Sequence, residues 1–396
     1  MQCPRCQSDV PEAAHFCHVC GQDVAKDDAA RRGSFAAKPD ESVVSLKLVS
    51  SIMPRGAAAR PRTYQYALGI ALLATVITAA LGALPIAVLL AAFSIPLVYI
   101  VYLYDVNLWE DEPVLVTGLA FALTLLLAAG WTAAWLAWRG PLDADAGMGN
   151  VTPTVWGFVL AGLIVPIVGE VIRQVGPVVL ASRPEFDDLM DGLTFGVISG
   201  VAYATGDTLV KHWPLITGGY AGPDGWSVWT SLLVLEGFVK PLVLGTATGI
   251  ACAEFSGLGA GYDGFTPRYF RGVADAIGAN VLYAGGVYLL GFVPNPALAL
   301  TLSIVWGLAI LAVLIIRIRT VLHKGLMEAV LESTARGRGA TDLGFCPACE
   351  MPLLPGSAFC SACGVNVRTA GKGVRVPAAS PAAPAQSAGH EGEEQA

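Results

Sequence analysis

Eight of the nine cysteines form two matched quartets, one near each end of the 396-residue chain. Both quartets combine C-P-x-C with F-C-x-x-C-G, and ten residues separate the inner cysteines. Two cysteines spaced in this way can place both thiolates on one ion, and a second pair completes a tetrahedral shell of four sulfurs. The spacing therefore predicts two structural Zn²⁺ ions. The predicted ligands are Cys3, Cys6, Cys17 and Cys20 for one ion and Cys346, Cys349, Cys360 and Cys363 for the other.

Disulfide bonds are the alternative state for these cysteines, as in secreted proteins. The first 24 residues are polar and contain no apolar stretch, so we expect no cleavable signal peptide and a reducing environment. A segment of about two dozen residues is too small to build its own core, so bound metal would supply its folding free energy. Metal binding is therefore favoured over disulfide formation.

The quartets resemble the zinc ribbons found at the ends of many bacterial membrane and signalling proteins, including the paired double zinc ribbon type. The resemblance implies binding to proteins, to nucleic acids or to another ribbon. Arg5 is the only lysine or arginine between the outer cysteines of either quartet, and the net charge of the chain is −7. A protein partner is therefore favoured over nucleic acid, and the two ribbons could also dock on each other.

The composition excludes a soluble globular enzyme. Hydrophobic residues make up 54% of the chain and charged residues only 14%, against about 25% charged in ordinary soluble domains. A helix needs about 20 apolar residues to cross the hydrocarbon layer. The sequence therefore predicts an all-α polytopic membrane protein, in contact with membrane lipid, with about eight transmembrane helices and a small zinc ribbon at each terminus. The predicted spans are two within 64–104, then 114–138, 155–181, 189–210, 228–253, 273–293 and 298–317.

The charges in the loops predict the orientation of these spans. Sixteen basic residues fall on the side that carries the termini, whereas only Arg139 and Lys211 fall on the other. By the positive-inside rule, the chain is a multi-pass protein of the cell membrane with both termini cytosolic. The predicted organisation is a zinc ribbon (1–24), a basic linker (25–62), the transmembrane domain (63–318), a juxtamembrane linker (319–343), a second zinc ribbon (344–367) and a disordered tail (368–396).

Several ionisable residues lie inside the predicted spans, where charges are costly and usually face a partner or a cavity. Glu170 and Arg173 are three residues apart, and Glu236 precedes Lys240 by four, so each pair shares a helix face. The simplest interpretation is that each pair is neutralised internally. The functional alternative is a polar cavity where the fourth, fifth and sixth spans meet, in which a carboxylate acts as a general base on water.

The order of these segments resembles the PrsW family of intramembrane proteases over about residues 95–290. The matching stretches are Y-D-V-N-L-W-E-D-E-P-V-L (104–115), P-I-V-G-E-V-I-R (166–173) and F-D-D-L-M-D-G-L-T-F-G (186–196). They correspond to the family's E-P-E-P, P-x-x-E-E-x-x-K and F-D-x-x-x-D-G-x-x-Y-G motifs. The resemblance implies a PrsW-like membrane fold, with Glu170, Arg173 and Asp207 as the candidate catalytic residues.

The chain departs from this family at its catalytic positions. Gly169 stands in place of the first glutamate of the pair, Gly206 and Asp207 replace a glutamate and an asparagine, and the later spans contain no histidine in their middle. The leading interpretation is a non-catalytic scaffold or regulator that binds other proteins, a pseudoprotease. One alternative is an active peptidase that uses Glu170, and another is a small-molecule or lipid transporter that uses charges such as Glu236, Lys240 and Asp275.

Overall fold

The computed structural model describes residues 1–24, 63–106, 114–139, 153–183, 188–217, 226–259, 261–340 and 342–368. These residues form a helical bundle with a small cysteine-rich unit from each end of the chain, as predicted. The predicted linker (25–62) and all but the first residue of the predicted tail (368–396) lie outside the described residues. The helices are α1 (Thr63–Ala80), α2 (Leu84–Val106), α3 (Val114–Arg139), α4 (Val155–Ala181), α5 (Leu189–Lys211), the short α6 (Trp213–Thr217), α7 (Trp226–Val234, continued by Leu235–Val239 and Lys240–Ser256), α8 (Pro267–Leu290) and α9 (Pro296–Gly337).

Six of the described helices, namely α3, α4, α5, α7, α8 and α9, are long and apolar enough to cross a membrane. This confirms the membrane-protein class, but it gives six spans where the sequence predicts eight. The other two predicted spans coincide with α1 and α2, joined by a tight turn at Gly82 (φ +75°). Within the described side chains, their apolar segments are Tyr66–Ala80 and Leu84–Val98, and neither is among the six.

Helix α5 forms the centre of the bundle and packs most tightly against α7. A Cβ atom built on Gly196 would lie 2.7 Å from the Cα of Gly249, and one built on Gly200 would lie 2.5 Å from the Cα of Gly245. Glycines spaced by four residues on both helices allow the backbones to approach closely, as is common between membrane helices. This contact fixes the side chains that α5 and α7 direct toward α4 and α8.

Helix α9 is a single helix of 42 residues. At 1.5 Å per residue it is about 63 Å long, roughly twice the thickness of the hydrocarbon layer. Residues 319–337 of the predicted juxtamembrane linker continue the same helix. Gly325 packs against Met190 at the start of α5, and Met327 and Leu331 form a buried cluster with Met351. The helix therefore connects the bundle to the C-terminal cysteine-rich unit.

The two cysteine-rich units, which we call the N-terminal (1–24) and C-terminal (342–368) four-cysteine modules, pack against each other. The backbone N–H groups of His15 and Phe16 donate to the carbonyl of Ser361, at 2.9 and 3.0 Å. In return, the N–H groups of Ala358 and Phe359 donate to the carbonyl of His18, at the same distances. A shift of 343 residues superposes one set of contacts on the other, so the pair has pseudo-twofold symmetry.

Aromatic rings complete this contact. Phe16 lies over Gly364, and Phe359 lies over Gly21, so close that an added Cβ on either glycine would approach a ring carbon to 2.8 Å. The pair also contacts the end of α9, where Arg338 donates to the side chain of Asp9 at 3.1 Å. Both modules therefore lie at one end of the bundle, and the expectation that they can dock on each other agrees with this geometry.

Candidate functional site

A buried polar cluster surrounds Glu170 on α4. Its Oε2 atom accepts hydrogen bonds from Arg173 (2.6 Å), Asn280 (2.8 Å) and Thr248 (3.1 Å), and its Oε1 accepts one from Gln174 (2.6 Å). Glu170 and Arg173 are 0% and 1% exposed. These five residues, the Glu170 cluster, connect α4 with α7 and α8. The predicted pairing of Glu170 with Arg173 is present, and both carboxylate oxygens are occupied.

Gly169 makes room for the arginine of this cluster. The Arg173 guanidinium lies over the ring of Tyr203, 4.8 Å from its centroid. A Cβ on Gly169 would lie 2.9 Å from the Tyr203 hydroxyl and 3.1 Å from Nη1 of Arg173. The tyrosine hydroxyl of α5 therefore occupies the space that a side chain at position 169 would need.

We expect Gly169→Ala to lower the free energy of unfolding by about 1–3 kcal/mol, because the added methyl group must displace Tyr203 or Arg173. The usual effect of Gly→Ala inside a helix has the opposite sign, about 1 kcal/mol of stabilisation. The measurement is denaturant unfolding in detergent. Gly278→Ala on α8 is the matched control, since nothing lies within 4 Å of an added Cβ there. Tyr203→Phe should restore part of the loss, and equal behaviour of the two alanine variants would contradict this account.

A second polar cluster surrounds Asp207, near the C-terminal end of α5. Its Oδ2 atom pairs with Lys240 (2.5 Å) and Lys211 (3.0 Å), and its Oδ1 accepts from Thr132 of α3 (2.7 Å). Lys240 also pairs with Glu236, as the spacing predicts. These five residues are the Asp207 cluster. Two carboxylates and two ammonium groups balance one another, so the charges of the cluster are compensated inside the bundle.

One cavity of about 210 Å³ lies between the two clusters. Helices α4, α5, α7 and α8 form its walls, so the predicted meeting of the fourth, fifth and sixth spans is present and α8 is a fourth wall. Glu170 is not among the lining residues, whereas Asp207 is. The lining consists of Ala161, Val165, Pro166, Arg173, Tyr203, Asp207, Lys211, Glu236, Lys240, Leu244, Asn280, Tyr283, Ala284, Val287 and Tyr288.

The cavity lies toward the end of the bundle opposite to the four-cysteine modules. Lys211 ends α5, and Tyr288 lies near the end of α8. At the other end, Ala181, Phe255 and Tyr269 pack together where α4 and α7 end and α8 begins. The cavity therefore extends between the four helices from the far end of the bundle to Arg173.

Two π-helical turns border the cavity. One spans Val159–Ile164 in α4, and the other spans Leu235–Val239 in α7. Each is followed within two residues by a proline, Pro166 or Pro241, at the start of the next helical segment. Such turns are rare and occur frequently at functional sites. Neither was expected from the sequence, because helical periodicity gives no signal for a single inserted residue.

No family model matches the chain, and no curated protein or solved structure does either.

The four-cysteine modules are the candidate metal centres. The sulfur atoms of each quartet all lie within 4.8 Å of one another, and none of the nine cysteines is in a disulfide. Neighbouring sulfurs, such as those of Cys3 and Cys20 or of Cys349 and Cys360, are 3.6 Å apart. Four thiolates at 2.3 Å from a tetrahedral Zn²⁺ are about 3.8 Å apart, so the donors fit this ion.

Two of these thiols have a lowered pKa. Hydrogen bonding with Cys349 is the main reason why the pKa of Cys360 is lowered to about 5. Burial opposes ionisation of Cys17, but hydrogen bonds from Ser8 and the neighbouring backbone outweigh it and lower the pKa to about 6. Thiolates are the form of cysteine that binds metal, so these hydrogen bonds act in the direction that metal binding requires.

One ionisable residue singled out in the sequence lies outside both clusters. Asp275, grouped with Glu236 and Lys240 in the transporter hypothesis, instead pairs with Arg317 on the exposed faces of α8 and α9. Sequence reasoning missed the contributions of Thr132, Thr248, Gln174 and Asn280. Each is a polar residue in an apolar helix, and that was the only available signal.

Proposed function

We propose that this protein is a non-catalytic, PrsW-like membrane scaffold or regulator that presents its paired four-cysteine modules to protein partners. In this proposal each module holds one Zn²⁺ ion. The chain crosses the cell membrane eight times, with α1 and α2 as the two additional spans, and both modules are cytosolic. The excess of basic residues on the terminal side supports this orientation, and cysteine quartets that bind metal instead of forming disulfides fit a reducing compartment.

The observation that carries the proposal is the sealed environment of Glu170. A general base must lie within hydrogen-bond reach of the water it activates. Both oxygens of Glu170 already accept hydrogen bonds from protein side chains, and the residue does not line the cavity. Asp207 does line it, but two lysines and Thr132 surround its carboxylate. In this proposal Glu170 and Asp207 therefore serve as structural counter-ions.

The test compares membrane-protein neo-termini by mass spectrometry in host cells that carry the intact protein, a deletion, or Glu170→Gln at matched protein level. Identical fragment sets in all three are expected. Fragments that occur only with the intact protein would establish proteolysis centred on Glu170 and overturn the proposal.

The scaffold role is tested in the same cells by proximity crosslinking from the C-terminal four-cysteine module. Gly364→Ala places a methyl group against Phe16, whereas Gly356→Ala, also at positive φ, meets open space. Both variants carry the cost of a left-handed backbone, so only Gly364→Ala should also separate the modules. We expect crosslinked partners to be lost with Gly364→Ala and kept with Gly356→Ala. Equal retention in both would contradict a partner surface built from the paired modules.

A further inference from the structure

We propose that the cavity between the Glu170 and Asp207 clusters binds a small anionic group with an adjacent hydrogen-bond donor, such as a phosphate or carboxylate beside a hydroxyl. This site requires neither a partner protein nor a bound metal, so it goes beyond the scaffold role and can fail or succeed independently of it.

Asn280 is the reason to expect a hydrogen-bond donor on the ligand. This residue lines the cavity and is 1% exposed. Its Nδ2 donates to Glu170 at 2.8 Å, which fixes the orientation of the amide. Its Oδ1 has no hydrogen-bond partner within the described part of the chain. A buried acceptor without a partner is costly, so a donor in the cavity would complete this group.

The anionic group is indicated by the lining charges. Three basic and two acidic side chains line the cavity, and Glu170 behind the lining pairs with Arg173, so the site offers an anion the donors that these pairs leave unused. The hydrogen bonds of Arg173 to Glu170 and Thr248 use Nε and Nη2, and none of them uses Nη1. Lys211 pairs only with Asp207 among the described acidic groups, although an ammonium has three donors. Arg173 and Lys211 therefore retain donors for an anion.

The shape of the cavity limits the size of the ligand. Tyr203, Asp207 and Lys211 follow one another at four-residue intervals on α5, so the polar wall extends about 12 Å along the helix. The volume of about 210 Å³ is smaller than the roughly 300 Å³ at which drug-sized pockets begin. Apolar residues, Ala161 and Val287 among them, also line the cavity. A short polyol phosphate fits this combination, and so does the headgroup of an anionic lipid.

The experiment uses the full-length protein, purified in detergent and depleted of lipid. Glycerol 3-phosphate is the soluble probe in calorimetric titration, and glycerol is the matched neutral probe. In a parallel arm, native mass spectrometry counts the phosphatidylglycerol molecules retained from nanodiscs, against phosphatidylcholine. Saturable binding of glycerol 3-phosphate but not of glycerol indicates a soluble ligand. Selective retention of phosphatidylglycerol alone indicates a lipid headgroup. Absence of both overturns the proposal.

Three variants assign the binding to this cavity. Ala284→Leu fills the cavity without changing a charge, and Lys211→Gln removes one of the cationic donors while Lys240 still pairs with Asp207. Each should weaken binding about tenfold or more, as expected for the loss of one charge-assisted hydrogen bond or of the space itself. Ala274→Leu, on the exposed face of the same helix, is the control and should bind normally. Unchanged binding by Ala284→Leu at an unchanged melting temperature would place the ligand elsewhere and overturn the proposal.

Discussion

Replacement of Cys360 by serine is expected to reduce the zinc content of the purified protein from two ions to one and to unfold the C-terminal four-cysteine module. In small zinc-binding units the metal contributes about 10–16 kcal/mol of binding free energy, which is also folding free energy. The module consists of 27 described residues with one two-stranded hairpin, too few to remain folded without the ion. The measurement is elemental analysis combined with limited proteolysis of the C-terminal end.

Cys252→Ser is the matched control for this experiment. Cys252 belongs to neither quartet; it lies in α7 and donates a hydrogen bond to Gln174 at 3.2 Å. A serine at this position should leave two zinc ions and an intact C-terminal module. Two ions in Cys360→Ser, or equal protease resistance of the two variants, would show that the quartet is not a metal site.

Replacement of Glu170 by leucine is expected to lower the free energy of unfolding by about 3–5 kcal/mol. The change leaves the buried guanidinium of Arg173 without its counter-ion, and removal of one partner of a buried ion pair carries a cost of this order. It also leaves the side-chain amide of Gln174 without the carboxylate it donates to. The double variant Glu170→Leu/Arg173→Met removes both charges and should recover part of the loss. Denaturant unfolding in detergent measures both.

An exposed pair on α9 supplies the control. Glu332 and Arg336 form an ion pair four residues apart, and the arginine side chain is 61% exposed. Ion pairs at such positions contribute at most about 1 kcal/mol, so Glu332→Leu should change stability little. A Glu170→Leu variant as stable as Glu332→Leu would indicate that solvent reaches the Glu170 cluster. A double variant no better than the single one would indicate that the hydrogen bonds, and not the charge on Arg173, dominate.

The features that the sequence predicts well are those encoded over short distances. The cysteine quartets follow from spacing alone, and the pairs of Glu170 with Arg173 and of Glu236 with Lys240 follow from helix geometry. The membrane class follows from composition. The number of spans does not follow as directly, since six helices of the described part meet the length and apolarity of a span where eight are predicted.

The contacts that sequence analysis cannot provide join residues far apart in the chain. Asn280 reaches Glu170 across 110 positions, and Thr132 reaches Asp207 across 75. Helical periodicity states which face a residue occupies, but it does not state which helix lies opposite. The same limit hides the reason for Gly169, because the tyrosine that fills its space belongs to another helix. Tertiary packing therefore decides whether a carboxylate is a base or a counter-ion.

The pseudo-twofold contact between the four-cysteine modules has a consequence for assembly. In an isologous interface both partners use the same surface patch. Two copies complete such an interface, and a third copy cannot add to it. Because a single chain carries both copies, its own modules can satisfy each other, yet the same contact fits a module of a neighbouring chain equally well. What favours pairing within the chain is the membrane bundle, which holds both modules at one end and so raises their effective concentration for each other. The bundle therefore acts as a tether that favours contact between the two modules of one chain over the same contact between two chains.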